Sequence, residues 1–252
     1  MNPGSPDTKQ PVIYFPGLDG TGRLLYRQQE LLDTYDVQCE SYPQDRPQTY
    51  EELADHAAEQ LKANHPGESA IVLAESFGGA VAITFSLRHP ELVERLVLVN
   101  TFARYPRRAI ISLGGWLGKF FPARPSPPRT RPFRSYFFFP KDVPKSEQDE
   151  WWGRTADVPM KAFGYRLALI SKLDLRSRLA EIPMPALVLA APNDKVVHPR
   201  AGRELAKLLP HAKLLEMPVG HGAMVHPDVN IAQLLQDPSY WESDNASEMS
   251  TK

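Results

Sequence analysis

The chain has 252 residues, with 29 Lys and Arg against 30 Asp and Glu, and is 42% hydrophobic and 23% charged. That balance is ordinary for a globular domain and argues against a protein built as a whole to bind nucleic acid. A single cysteine, Cys39, excludes an internal disulfide and a cysteine-based metal cluster, and reads as a small apolar strand residue.

The first ten residues carry no basic and apolar leader, and no uninterrupted apolar run reaches about 18 residues. A cytoplasmic protein without a membrane span is expected. Residues 1–10 and 239–252 are polar and non-periodic, and read as tails.

Between the tails, short apolar runs alternate with stretches of helical period. A strand is expected at 12–16, a helix at 23–33, a strand at 37–42 and an amphipathic helix at 50–64, with Leu53, Ala57, Ala58 and Leu61 on one face. A strand at 70–74 leads directly into a helix at 77–88, and strands follow at 95–100, 186–191 and 212–217. These strands are continuous apolar runs, as strands covered on both faces are. Strand–helix alternation then predicts an α/β fold with a doubly wound, mostly parallel sheet of about six strands. In such a sheet, ligands sit at the carboxyl ends of the strands.

The alternation breaks between 102 and 180. That segment has no clear strand, holds 13 of the 24 aromatic residues between Tyr105 and Tyr165, and has eight prolines between Pro106 and Pro144. From Arg104 to Arg134 it carries eight Lys or Arg and no acid. It reads as an insertion, dividing a core of 11–101 and 181–238.

The chemistry concentrates at three loops that follow strands. Ala74-Glu75-Ser76-Phe77-Gly78-Gly79 has the small-x-Ser-x-Gly pattern of a nucleophile elbow, in its required strand–turn–helix setting. Without that setting, Ser76 would read as a helix N-cap. A serine hydroxyl needs a base to take its proton. His221, between Gly220 and Gly222 after the last strand, has the right position and order. Asp194, in the Asn193-Asp194 turn after the penultimate strand, is the candidate acid that orients it, beside its simpler role as a turn former. The oxyanion formed on attack needs two backbone N–H groups. Phe77, directly after the serine, and Leu18, in the Pro16-Gly17-Leu18-Asp19-Gly20-Thr21-Gly22 loop, are the candidates.

With these three positions in the order Ser76, Asp194, His221, the chain resembles the α/β-hydrolase superfamily over about residues 11–237. PGLDGTG and the Ala-Glu-Ser-Phe-Gly-Gly elbow look like the serine esterase and lipase type, and within it the acyltransferase-like branch related to plant phytyl ester synthases. Too little chain precedes the strand at 12–16 for the usual first hairpin, so a sheet lacking it is expected. The resemblance implies that 102–180 is a helical cap over the active site. Its aromatics, among them Trp116, Phe120, Phe138 and Trp151, would then wall an apolar pocket.

The reading is a carboxylic ester hydrolase acting on hydrophobic small-molecule esters through an acyl-enzyme, with no metal or organic cofactor. The alternatives are an acyltransferase or thioesterase with the same triad, or a non-catalytic binding protein on this fold. The basic run reads either as a solvated face or as a surface making weak contact with an anionic lipid.

Overall fold

The computed structural model describes residues 9–141 and 143–242, and of residue 108 the backbone alone. Most of both expected tails, 1–8 and 243–252, lies outside the described residues. Among the described residues one six-stranded sheet runs in the order β2-β1-β3-β4-β5-β6. Its strands are β1 (Pro11–Phe15), β2 (Asp36–Cys39), β3 (Ala70–Glu75), β4 (Val93–Val99), β5 (Ala186–Ala190) and β6 (Ala212–Glu216). Every neighbouring pair is parallel. The sheet is open and doubly wound, and among the described residues no strand precedes β1. The chain leaves β1 toward β2 on one side and returns to β3 on the other, so the strand order reverses between β1 and β3. That reversal opens a crevice at their carboxyl ends.

Helices cover both faces because the inner strands are apolar on both. β1, β3 and β5 are buried along their whole lengths. Helix α1 (Gln29–Thr34) lies on one side, and α2 (Tyr50–Asn64) and α3 (Phe77–Arg88) lie on the other. Thr49 caps α2 through a reciprocal pair with Glu52, in which each side chain accepts the other residue's backbone N–H. Leu53, Ala57, Ala58 and Leu61 are all buried on its inner face, each leucine contributing about 2 kcal/mol. Edge strand β6 departs from the continuous-run expectation: its residues alternate between half-buried and exposed, because only β5 borders it.

The expected helix at 23–33 is broken. A single 3-10 turn spans Arg23–Leu25 and α1 starts at Gln29. At the break, Gln28 leaves helical backbone angles and turns its side chain inward. Its amide donates to the carbonyls of Met224 and Val229 and accepts from the N–H of Ile231. Three buried backbone groups find a partner this way, which outweighs one turn of helix. β2 ends at Cys39, short of the expected 42, because the Tyr42 N–H turns away to the Gly20 carbonyl. Cys39 is the last residue of β2, a strand residue as expected, and is exposed at that end.

Between β4 and β5 the chain forms α4 (Arg108–Leu117), α5 (Arg131–Phe138), α6 (Lys145–Arg154) and α7 (Met160–Lys172), without a strand among the described residues. Helices α4 and α7 pack at very short range, since a Cβ on Gly118, just after α4, would lie 2.5 Å from the Gly164 Cα. After β5, α8 (Arg200–Leu208) leads to β6, and α9 (Ile231–Gln236) packs beside α1. None of the described helices is long and apolar enough to cross a membrane.

Candidate active site

The site begins with a steric constraint at the end of β3. A Cβ on Gly78 would lie 2.1 Å from the Phe15 carbonyl oxygen, and one on Gly79 would lie 2.1 Å from the Thr101 hydroxyl. With glycine at both positions α3 presses against β1 and β4, and the turn between β3 and α3 is left to one residue. That residue is Ser76, at φ 51 and ψ −118, a region costly for a residue with a Cβ. Its carbonyl accepts from the N–H of Gly79 and from the Thr101 hydroxyl. Its own hydroxyl makes no capping bond to α3. The N-cap explanation therefore fails, and the hydroxyl points elsewhere.

It points at His221. Ser76 Oγ lies 3.0 Å from His221 Nε2, and His221 Nδ1 lies 2.7 Å from Asp194 Oδ2. The second Asp194 oxygen accepts from the backbone N–H groups of Val196 and Val197 at 2.7 and 2.9 Å. Those bonds fix the plane of the carboxylate toward the imidazole. An ionised acceptor at Nδ1 selects the tautomer with its proton there, leaving Nε2 free to accept from the serine. Burial lowers the pKa of His221, but the charge of Asp194, its hydrogen bond and the charge of Glu75 outweigh this and leave it raised above 6.5.

Two residues that the sequence did not single out hold this arrangement. Asn100, at φ 46 directly after β4, donates to the carbonyls of Gly220 and His221 and accepts from the Ala191 N–H. It ties the histidine loop to the end of β5. Arg166 of α7 is wholly buried, and its guanidinium donates to the carbonyls of Leu18, Asp19, Tyr42 and Pro43 at 2.8–3.4 Å. Burial brings its pKa down to about 10, so it stays cationic at neutral pH. It occupies the carbonyl side of the loop that bears the Leu18 amide. An Asn directly after an apolar strand run, a residue type that tolerates positive φ, was the sequence signal for Asn100. For Arg166, the only signal was an arginine among apolar residues of a helix.

Ser76 and His221 open into a cavity of about 380 Å³ lined mainly by apolar side chains. Phe138 and Trp151 line it as expected, and Phe138 also stacks edge-on against His221 at 5.3 Å. Trp116 and Phe120 do not line it. They pack against each other on the outside, 56% and 73% exposed, because α4 turns its other side, with Ile111, toward the cavity. Leu18 lines the cavity, whereas Phe77 is buried beneath it, its ring against Tyr42 and Tyr50. The Phe77 amide belongs to the first turn of α3, where helical N–H groups have no intrahelical partner.

The family model described as serine aminopeptidase, S33, matches residues 42–220, and the chain belongs to this family of α/β-hydrolases. It is 28% identical over 238 residues to a Cronobacter sakazakii protein named as the carbamate hydrolase RutD, a match covering 86% of this chain and 84% of that one. Phytyl ester synthase 2 of Arabidopsis thaliana is 28% identical over 119 residues, 45% of this chain but only 17% of that protein. An esterase of Thermogutta terrifontis superposes with a TM-score of 0.77 at 17% identity, covering 91% of this chain and 89% of that one. The protein is a hydrolase.

One group in the cavity carries a charge that burial opposes. Burial pushes the Glu75 carboxyl from 4.5 up to about 7, with Asp19 adding to the rise and the hydrogen bond from Tyr14, His221 and the Gly17 N–H opposing it. The folded state thus prefers Glu75 protonated. Its contribution to stability is full below about pH 4.5 and is lost as the pH rises through about 7, a change on the order of 3 kcal/mol. Glu75→Gln, which stays neutral at all pH values, should be more stable than the wild type at pH 8 by about 1–3 kcal/mol and no more stable at pH 4.5. Urea unfolding at the two pH values measures this, and an equal difference at both would refute it.

Proposed function

We propose that the protein is a carboxylic ester hydrolase that works through an acyl-enzyme on Ser76. The observation that carries this reading is the serine hydroxyl, in a strained backbone conformation and unused as a cap, within hydrogen-bond reach of a carboxylate-oriented imidazole in a mostly apolar cavity. Ser76 Oγ attacks the ester carbonyl carbon while its proton passes to His221 Nε2. The carbonyl electrons move onto oxygen, held by the Leu18 and Phe77 amides. Collapse of this intermediate expels the alcohol, which takes the proton from His221, and leaves Ser76 acylated. Water then attacks, giving its proton to His221, and the acid departs as Ser76 recovers its hydrogen. Asp194 holds the imidazole in place and steadies the imidazolium. In this reading residues 102–180 are the cap, and Phe138 and Trp151 favour a hydrophobic substrate.

We further propose that the outer face of the cap meets an anionic lipid surface. Ile110, Leu113, Trp116, Leu117 and Phe120 are 42–73% exposed on α4 and the turn after it. Lys119, Arg124 and Arg129 are also exposed, in a stretch that has no acid to neutralise them. An apolar stripe with basic neighbours suits the interface of a negatively charged membrane, where each cation adds about 1 kcal/mol.

A fluorophosphonate probe should label Ser76, and Ser76→Ala should lower kcat for p-nitrophenyl esters by on the order of 10⁴-fold or more without changing the circular dichroism spectrum. Labelling at another serine, or activity surviving in the variant, would remove the assignment. Because His221 must be neutral to act as base and its pKa is raised, kcat/KM should climb with pH through a midpoint above 6.5. A profile flat from about pH 5 to pH 8 would exclude His221 as the base. For the lipid face, the informative quantity is hydrolysis of an ester carried in anionic vesicles divided by that of a soluble neutral ester. Replacing Arg124, Arg129 and Arg131 together by glutamine should cut this ratio by up to about a hundredfold, and high salt, which screens beyond about 8 Å already at physiological strength, should lower it in the same direction. An unchanged ratio in both tests would leave these arginines an ordinary solvated face.

A further inference from the structure

The cavity is not uniformly apolar, and its polar groups sit in an unequal way. Asp19 and Glu75, both buried, line it together with Ser76. The cation in its lining is Arg134, contributed by α5. Its guanidinium lies 4.2 Å above the Trp152 ring and 6.0 Å from that of Phe163. It makes no hydrogen bond or ion pair with any described residue, unlike Arg104, which reaches Asp174, and Arg154, which reaches Glu150. Two aromatic faces therefore hold a half-buried guanidinium in place while its N–H donors are left for whatever enters the cavity. One turn earlier on the same segment, Thr130 is bonded to Ser126, whose side chain also lines the wall.

Guanidinium N–H donors in a partly dry site have a strong preference for a carboxylate, which they bind in a planar fork. At the nucleophile's end the buried Asp19 and Glu75 side chains offer no cation to pair with that charge, and the Asp19 carboxylate repels it. An ester bearing a carboxylate far from its scissile carbonyl would thus enter in one orientation, reactive carbonyl at Ser76 and anion at Arg134.

We propose that Arg134 is the recognition residue for a terminal carboxylate on the substrate, which makes the substrate class hemiesters of dicarboxylic acids or close analogues. This rests on the ester hydrolase reading above for its chemistry, though not for its binding. Burial, and secondarily the charge of Arg131, pull the Arg134 pKa below the ordinary arginine value, as expected of a cation lacking a counter-ion.

The test uses mono-p-nitrophenyl esters of glutaric, adipic and suberic acids, each beside the same compound with its free carboxylate methylated. For the wild type, kcat/KM should favour the carboxylate form at one or more chain lengths. In Arg134→Gln, the ratio of anionic to neutral kcat/KM should fall by about tenfold to a hundredfold, the worth of a charged hydrogen bond. Arg134→Lys, which keeps the charge and loses the fork, should recover part of the ratio. Loss of packing on Trp152 would depress both forms together and leave the ratio alone. A wild-type ratio near one at every chain length, or an equal ratio in Arg134→Gln, would overturn the proposal. Calorimetry of monomethyl adipate with Ser76→Ala, with and without Arg134→Gln, reads the anion site without turnover. If Ser76 proves not to be the nucleophile, tighter monomethyl adipate binding that depends on Arg134 still supports the site, and binding indifferent to Arg134 still overturns it.

Discussion

The contact between α3 and the sheet governs the site. Without Cβ atoms at Gly78 and Gly79 the helix sits against the Phe15 carbonyl and Thr101, and the chain must reverse from strand to helix in one residue. Ser76 absorbs that reversal at φ 51, a conformation worth on the order of 1–3 kcal/mol in strain. The buried β1, β3 and β4 that flank it supply the packing that sustains this cost. In return the hydroxyl stands clear of backbone donors and meets the imidazole. A relaxed helix start would have turned the same side chain back onto the N–H groups of α3.

Around that point, loops from distant parts of the chain are held by side-chain to backbone bonds and not by extended pairing. Asn100 joins the histidine loop to β5, Gln28 holds the segment after it, and Asp194 is held by the turn that it forms. The helices between β4 and β5 enter the same network. The Gly222 N–H donates to the Phe138 carbonyl, and Lys195 donates to the carbonyl of Tyr136. The His221 ring therefore has a fixed carboxylate on one side and a fixed aromatic edge on the other.

Much of this was readable in the sequence, for identifiable reasons. Strands buried on both faces are continuous apolar runs, so five of the six strands were placed within about two residues at both ends. Ser76, Asp194 and His221 were readable as candidates because each follows a strand, and strand ends converge in a parallel sheet. What stayed hidden depends on which way a helix faces and on what a side chain meets across the fold. The aromatic content of 102–180 could not tell Phe138, which lines the cavity, from Trp116 and Phe120, which face outward. Gln28 looked like a helical residue until the backbone groups it satisfies, some 200 positions away, were in place. Arg166 drew no attention in the sequence, because its four carbonyl partners come from two loops more than 120 residues earlier.

Arg166 also limits how this architecture can be rearranged. The segment between β4 and β5 is easy to picture as exchangeable, since it adds no strand to the sheet among the described residues. Here one of its helices carries the buried charge that organises the loop after β1, at the opposite end of the chain's order. Transplanting residues 102–180 onto a related core, or replacing them with a shorter linker, would leave the carbonyls of Leu18, Asp19, Tyr42 and Pro43 facing an unfilled hole. The helices between β4 and β5 and the first loop are in this respect one structural unit, and a recombined protein would have to take both or neither.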